Sequence, residues 1–476
     1  MIRRASPLLV LLLAGCTVGP QHPTTPLSLS PPVPAQVIAP ASGPAQAIVP
    51  GAPPLAEWWR SFANPTLDAL VAQALAHNND LAVAEATLTQ AAEQAGVSAG
   101  NAGPQVDASY DAERFKVARV FSNPLSDDPA QYRYTLHTAT LSVTYPLDLF
   151  GLERNRVRSA RAQAEVAADR AVAARTTVIA NLVLAVVNQA SLDAQVHATE
   201  ESIRSNREIL DLLSRRQQLG DIGGVDVAAQ QTALATAEAA LPPLMRQRAH
   251  QQALIATLTG QAPGSPLAPL PTLDHLQLPP TLPVALPGKI VANRPDVAAA
   301  AAQMRGAGAD LGAAIAARLP NLTLTANTGG ESTQFSDLLT HGNLFYTLVG
   351  GVTQPIFHGR ALLHGQRAAA AELEGAKAQY RQSVLLAFTD VSDALAGLRS
   401  DADALDAATR ASLAAQRTLL FTRRQLELGG VGTLALLNAA AANAQASTTV
   451  VQARAARLAD SVALFQAVGG GLTPPH

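Results

Sequence analysis

Cys16 is the one cysteine in the chain. Its thiol has no internal partner, so a disulfide framework and a cysteine-based zinc site are excluded. The other residues able to do chemistry form no catalytic set. There is no H-E-x-x-H, no glycine-rich phosphate loop leading to a lysine, and no G-x-S-x-G. The ten histidines are scattered. His358 and His364 fall near a strand–helix junction and read as a chance pair, not a metal site. More distinctive are two glycine-rich runs, Gly220-Asp221-Ile222-Gly223-Gly224 and Gly429-Gly430-Val431-Gly432-Thr433. Arg215 and Arg424 precede them, and Asp226 and Leu434 follow. Glycine supplies the backbone freedom of a reversal, and an acid near a helix start meets the positive end of its dipole.

The residues before Cys16 define what its thiol is for. Arg3 and Arg4 make a positive leader, Leu8 to Leu13 an apolar run, and Ala14-Gly15 a small-residue cleavage point. This is a secretory signal, too short to span a bilayer permanently. Leu13-Ala14-Gly15-Cys16 resembles a bacterial lipobox. The resemblance implies cleavage before Cys16, a diacylglycerol thioether on its sulfur and an N-acyl group on its amine, with no other cofactor. Thr17 stands where an aspartate would retain a lipoprotein at the inner membrane, so the expected destination is the outer membrane. The next stretch, through Pro53-Pro54, is rich in Pro, Ala and Ser and reads as an extended tether. A net charge of -2, with 15% charged residues, offers nothing to nucleic acid.

The elements that must position the glycine runs come in two similar halves. Val143-Thr144-Tyr145-Pro146-Leu147 matches Val352-Thr353-Gln354-Pro355-Ile356, and Arg215, Leu219 and Gly220 match Arg424, Leu428 and Gly429 at the same offset. Asp80, Gly96 and Pro104 match Asp296, Gly312 and Pro320 at a slightly larger one. Duplication predicts the same plan twice: helix, strand, strand, long helix, tight turn, long helix. No Gly or Pro occurs from Leu152 to Leu219, room for a helix of about 100 Å. A second such helix is expected from about Ala361 to Leu428. The return helices start near Val225 and Leu434, with Thr433 as N-cap of the latter, and Pro242-Pro243 is expected to break the first with a jog. The predicted organisation is leader 1–15, tether 16–54, first repeat 55–265 with hairpin 152–260 and tip 220–224, Pro-rich linker 266–284, second repeat 285–471 with hairpin 360–468 and tip 429–433, and tail 472–476.

Strands are expected at about 104–116, 132–147, 320–330 and 343–357. Asn321 to Asn327 alternates cleanly, whereas Gln105 to Tyr110 alternates only loosely. Segments of this length suit transmembrane β-strands or a soluble hairpin. Strands facing lipid must close into a barrel, and four are too few. Identical protomers solve the shortage: three would give twelve strands, whereas two would give eight and a nearly filled interior.

With these features in hand, the chain resembles the TolC-like outer-membrane efflux proteins, in the lipoprotein branch with OprM-like and NodT-like members. The marks are Cys16-Thr17-Val18-Gly19-Pro20; Trp58-Trp59-Arg60-Ser61-Phe62 with Asn64-Pro65; Pro146-Leu147-Asp148-Leu149-Phe150-Gly151; Asn293-Arg294-Pro295-Asp296-Val297; Pro355-Ile356-Phe357 with Gly359-Arg360; and Leu464-Phe465 with Gly469-Gly470-Gly471. The resemblance implies a mainly α chain with a transmembrane β-barrel. Its homotrimer would carry a twelve-stranded barrel continuous with a long periplasmic α-helical barrel. It implies a passive exit duct in the outer membrane lipid, served by a periplasmic membrane-fusion adaptor and an inner-membrane efflux pump of the resistance-nodulation-division or major-facilitator type. The alternative is a type I secretion or metal-efflux component. Leu434 and Asn438 align with gate positions where relatives often carry Leu and Asp. Asp221, Asp226, Arg215 and Arg424 are further gate candidates. Gly220, Gly223, Gly224, Gly429, Gly430 and Gly432 are candidates for touching the adaptor. A coiled-coil adaptor and a lipid-tethered hydrolase fit less well, the first having one hairpin and the second needing a catalytic set.

Overall fold

Ala, Arg, Leu and Gln, all strong helix formers, fill the segment after Leu152 that lacks Gly and Pro. In the computed structural model it forms one helix. The structure describes residues 18–20, 36–38, 44–52, 55–116, 133–284 and 294–470. Cys16, the leader, residues 117–132, Asn293 and the tail after 470 lie outside them. In chain order the elements are β1 (Gln36–Ile38), β2 (Gln46–Pro50), a 3-10 turn at Trp58–Phe62, α1 (Pro65–His77), α2 (Asn79–Asn101), β3 (Gln105–Lys116), β4 (Arg133–Leu147), α3 (Leu152–Gln218), α4 (Gly224–Leu258), β5 (Thr281–Val284), α5 (Pro295–Ala316), β6 (Asn321–Ser332), β7 (Leu344–Thr353), α6 (Ala361–Glu427) and α7 (Thr433–Ala467). The halves match residue for residue in their hairpins: α3 and α6 each have 67 residues, α4 and α7 each 35.

By contacts the chain forms two compact units, and each draws on both halves. The first takes Met1–Pro26, Leu88–Ala167 and Ala300–Tyr380; the second takes Leu27–Thr87, Ala168–Ala299 and Arg381–His476.

The first unit holds an antiparallel sheet in the order β3-β4-β6-β7. Its register separates the side chains by character. Val106, Ala108 and Tyr110 stand opposite Val143, Leu141 and Ala139. Leu147, Tyr145, Val143 and Leu141 stand opposite Leu322, Leu324, Ala326 and Thr328. Leu322, Ala326 and Thr328 stand opposite Val352, Leu348 and Tyr346. Residues directly opposite share a face, so these make one apolar surface. The other face carries Asp107, Ser109 and Asp111 against Ser142, Thr140 and Thr138, then Thr325 and Asn327. β3 alternates only loosely by itself because Ala108 and Ala112 are small, yet its register assigns each to the apolar side. The edge strands are exposed and the central pair half-exposed in the protomer; Tyr346 of β7 is 86% and Leu348 77% accessible. Among the described residues β3 and β7 are edges, each paired on one side only. β7 stops at Thr353, short of the expected 357, because its partner β6 begins at Asn321, which pairs with Thr353.

Entry to α3 is locally encoded. Asp148 Oδ2 accepts from the Arg154 backbone N–H at 2.8 Å and from Arg154 Nε at 3.1 Å, and Gly151 adopts φ +82°. α5 lies close to this first part of α3. A side chain at Gly306 would touch Ala162, and one at Gly312 would lie 2.6 Å from Asn155 Nδ2. Met304 and Ala307 of α5 pack with Leu373 and Ala376 of α6.

In the second unit Asn64 caps α1, its Oδ1 accepting from the Leu67 N–H at 3.0 Å, and Pro65 takes the first helical position. Trp58 is fully buried and stacks on Phe465 of α7, centroids 5.2 Å apart. The apolar run of α3 around Ile179, Leu182, Val183 and Val186 could span a membrane by length and composition. All four residues are fully buried here, so it serves as the core.

Three sequence expectations are corrected. The tether is structured over Gln46–Pro50: β2 pairs antiparallel with β1 and parallel with β5, from the supposed linker, and Ile48 is buried. Composition predicted no core for this segment, but pairing with a distant strand supplies one. Pro242-Pro243 does not break α4. Both prolines are exposed, so water can satisfy the carbonyls that lose their N–H partners. Thr433 is the first helical residue of α7, and Gly432 is the N-cap.

Candidate functional site

The hairpin tips share one backbone solution. Gly220 and Gly429 adopt φ +80° and +75°, a left-handed conformation that disfavours side chains. The Gly220 N–H donates to Gln217 O and the Asp221 N–H to Arg216 O; at the other tip Gly429 and Gly430 donate to Leu426 O and Gln425 O. These paired bonds satisfy the last carbonyls of each long helix. Gly223 and Gly432 then start the return helices as extended N-caps.

The tips are joined by apolar packing. Ile209 and Leu213 of α3, Val227 of α4, Leu426 of α6 and Leu436 and Ala440 of α7 form one buried cluster, flanked by Ile222 and Val431 from the turns. Buried Gln230 Nε2 donates to Asn206 O at 2.7 Å and Oδ1 at 3.0 Å, tying α4 to α3. Arg423 of α6 reaches Ser205 Oγ of α3.

Around this cluster the candidates separate. Leu434 is 69% accessible and Asn438, one turn on, is also exposed. Asp221 is exposed and pairs with Arg216 at 3.9 Å; Asp226 is half-buried in the first turn of α4. Among the described residues Arg215 makes no ion pair, and the turn acid Asp221 is met by Arg216 instead. The register of the last turn of α3 turns Arg216, not Arg215, toward the turn acid. Arg424 pairs with Glu427 of its own helix at 2.7 Å. Gly224 is the first residue of α4 and Gly430 lies in the turn after Gly429; both are exposed, as are Gly223 and Gly429.

Sequence reading missed a second constellation on the hairpins. Arg294, just before α5, holds Asp296 at 2.7 Å and Asp390 of α6 at 2.8 Å, and its Nη1 donates to Ala467 O at the end of α7. Burial alone would lower its pKa, but hydrogen bonds and charge from the two carboxylates hold it above its usual value. Arg294, Asp390, Asp393 and Asp460 line one cleft of about 460 Å³. Asp460 of α7 also hydrogen-bonds Asp401 of α6, which two carboxyl groups can do only by sharing a proton. Burial, then the Asp401 charge, push Asp460 up to about 6. Asp401 is raised too, mainly by burial, with Arg457 pulling the other way. Arg457 is fully buried and donates to Gln46 Oε1 at 3.2 Å and Pro44 O at 2.7 Å. Fifty-odd residues separate the two acids, and no local motif announces them.

A raised carboxyl pKa means the folded state holds the proton more tightly. The stability it confers is complete below the ordinary aspartate range and is lost as pH rises through about 6. Asp460→Asn is therefore expected to raise the melting temperature by a few degrees at pH 7.5 and to leave it unchanged at pH 3.5. Thermal melts followed by circular dichroism check this; an equal shift at both pH values would refute the shared proton.

An amphipathic strand quartet and two long helical hairpins with glycine tips define a membrane channel protomer. The outer membrane efflux protein family model matches residues 70–261 and 286–470, and the chain belongs to this family. It is 31% identical over 477 residues to the pyoverdine export outer membrane protein OpmQ of Pseudomonas putida, covering 98% of this chain and 96% of that one. It is 30% identical to the toluene efflux pump outer membrane protein TtgC of the same species, over 97% and 93% of the two chains. Its fold is similar to the outer-membrane channel OprN, with TM-score 0.86 and 26% identity over 96% of this chain and 99% of that one. It is also similar to the open state of the Neisseria gonorrhoeae MtrE channel, with TM-score 0.82 and 24% identity over 96% and 99%. The protein is thus an outer-membrane efflux component.

Proposed function

We propose that three copies of this chain close into a twelve-stranded barrel and serve as the passive exit duct of a tripartite pump. The observation that carries the reading is the four-stranded sheet, with one apolar and one polar face and, among the described residues, two unpaired edges. Lipid tolerates no open edge, and a barrel of four strands is too narrow to exist. A ring of copies pairing β7 of one with β3 of the next meets both demands, with the apolar face to lipid and the polar face to water. A periplasmic adaptor meets the glycine tips, and an inner-membrane pump drives transport. Acyl groups on Cys16 hold the mature chain to the membrane. Cargo of the kinds named for the relatives, a siderophore or an aromatic solvent, passes through without chemistry.

Purified protein in detergent should have the mass of three copies and give stepwise conductance in planar bilayers. A monomer without conductance overturns the proposal. Leu434 and Asn438 form the constriction near the tips. Leu434→Ser with Asn438→Ser should raise single-channel conductance severalfold; unaltered conductance removes them from the gate.

A further inference from the structure

The first unit contains a basic cavity that duct function does not use. It measures about 280 Å³ and lies between α3 and α5, lined by Arg158 and Arg161 of α3, Arg305 of α5, and Pro20. Glu165 also lines it but is committed to Arg305, Nη2 to Oε2 2.5 Å. Nearby Arg154 and Arg156 are paired with Asp148 and Glu153. Arg158 donates to the neutral Asn155 Oδ1, at 3.3 Å. Among the described residues neither Arg158 nor Arg161 has an acidic partner, so the cavity keeps an excess of positive charge.

The chain just after Cys16 is clamped beside it. The Val18 N–H donates to Phe150 O at 3.3 Å, and Val18 O accepts from Asn155 Nδ2 at 3.1 Å. Gly19, at φ +117°, lies so close to Gly312 that an added Cβ would sit 2.5 Å from the Gly312 Cα. Pro20 then borders the cavity. Two residues of extended chain reach about 7 Å. An acylated Cys16 would therefore enter the bilayer within that distance of Val18, next to the strand ends at Leu147 and Asn321. The headgroup zone is about 5–8 Å deep on each side of the hydrocarbon. Arg158 lies six residues into α3, about 9 Å along its axis, near the phosphate level.

We infer that this cavity binds the phosphate of an anionic phospholipid headgroup beside the acylated N-terminus. Arginine is well matched to such a headgroup, because its planar donors pair with phosphate oxygens in a fork and its charge persists at any physiological pH. The inference rests on the sheet lying in the outer membrane and on acylation of Cys16.

Native mass spectrometry of the full-length acylated protein tests it, with dioleoylphosphatidylglycerol or dioleoylphosphatidylcholine added to the detergent. Each surface arginine contributes a factor of several to anionic lipid binding, so the glycerol lipid should bind at least about tenfold more tightly. Arg158→Gln with Arg161→Gln should abolish the preference. Arg170→Gln with Arg175→Gln, further along α3, should leave it intact. Inorganic phosphate at millimolar concentration should not compete; if it displaces the lipid, the site is a free-phosphate site and the lipid assignment is overturned. Equal binding of both lipids by the unaltered protein, or a preference surviving the Arg158/Arg161 change, overturns it too. The same spectra report the acyl mass on Cys16, and bilayer conductance of the same samples reports the duct. A lost anchor or a lost channel is thereby distinguished from a lost lipid site.

Discussion

Leu348→Arg is expected to exclude the protein from the outer membrane, whereas Thr347→Arg, one residue away, should leave insertion intact and change only conduction. The register places Leu348 opposite Ala326, on the apolar face, and Thr347 opposite Asn327, on the polar face. An arginine on the lipid side of a barrel strand costs about 2–4 kcal/mol near the bilayer midplane, and a ring of three copies incurs the cost three times. An arginine on the lumen side stays in water and places three positive charges in the pore, which should lower cation conductance. Fractionation of the outer membrane with single-channel recording checks the pair. If Leu348→Arg inserts normally and Thr347→Arg does not, the faces are assigned backwards. The contrast bears on function directly, because the polar face is what cargo meets.

The second large effect is expected at Trp58. Its ring is fully buried, stacked on Phe465 at an interplanar angle of 18° and edge-on to Phe62 at 70°. Trp58→Ala leaves a cavity that neighbouring helices cannot fill, and such a change costs about 3–5 kcal/mol. Trp58→Phe should cost far less. It keeps a ring against Phe465 and removes the indole Nε1–H, which is buried without a hydrogen-bond partner among the protein atoms. Urea unfolding of the detergent-solubilised protein, followed by helix content, separates the two. Equal losses in both variants would mean that the aromatic stack contributes little. The stack matters beyond stability because it ties the turn before α1 to the last turns of α7, the helix that carries Leu434 and Asn438 at its other end.

The acid pair bears on the hairpins differently. Below about pH 6 Asp401 and Asp460 link α6 to α7 through one proton, while Arg457 attaches α7 to the segment around Gln46. Arg294 joins α6 and the end of α7 from outside. Arg457 is buried, and Arg294, Asp401 and Asp460 are half-buried, so these groups hold the helices in one relative position and are costly to displace.

What the sequence determined by itself were the properties that depend on neighbours along the chain. The first 67-residue helix follows from the absence of Gly and Pro between Leu152 and Gln218; the second keeps Gly365, Gly375 and Gly397 within it, and both rest on a helix-forming composition. The tips follow from Gly220 and Gly429, where a left-handed backbone is needed. The duplication announced that whatever one tip did, the other would repeat. Tertiary structure decided what depends on distant partners. Ile48 belongs to a core only because β2 meets β5, more than two hundred residues away. Ala108 faces the apolar side only because β3 pairs with β4 in one register, and a slip of one residue would reverse it. Arg216 rather than Arg215 meets Asp221 because of where the last helical turn points, and Asp460 shares its proton because α6 and α7 place Asp401 beside it. Backbone preference is a property of one residue and its neighbours. Pairing, burial and shared protons are properties of two surfaces, and these exist only once the chain has folded.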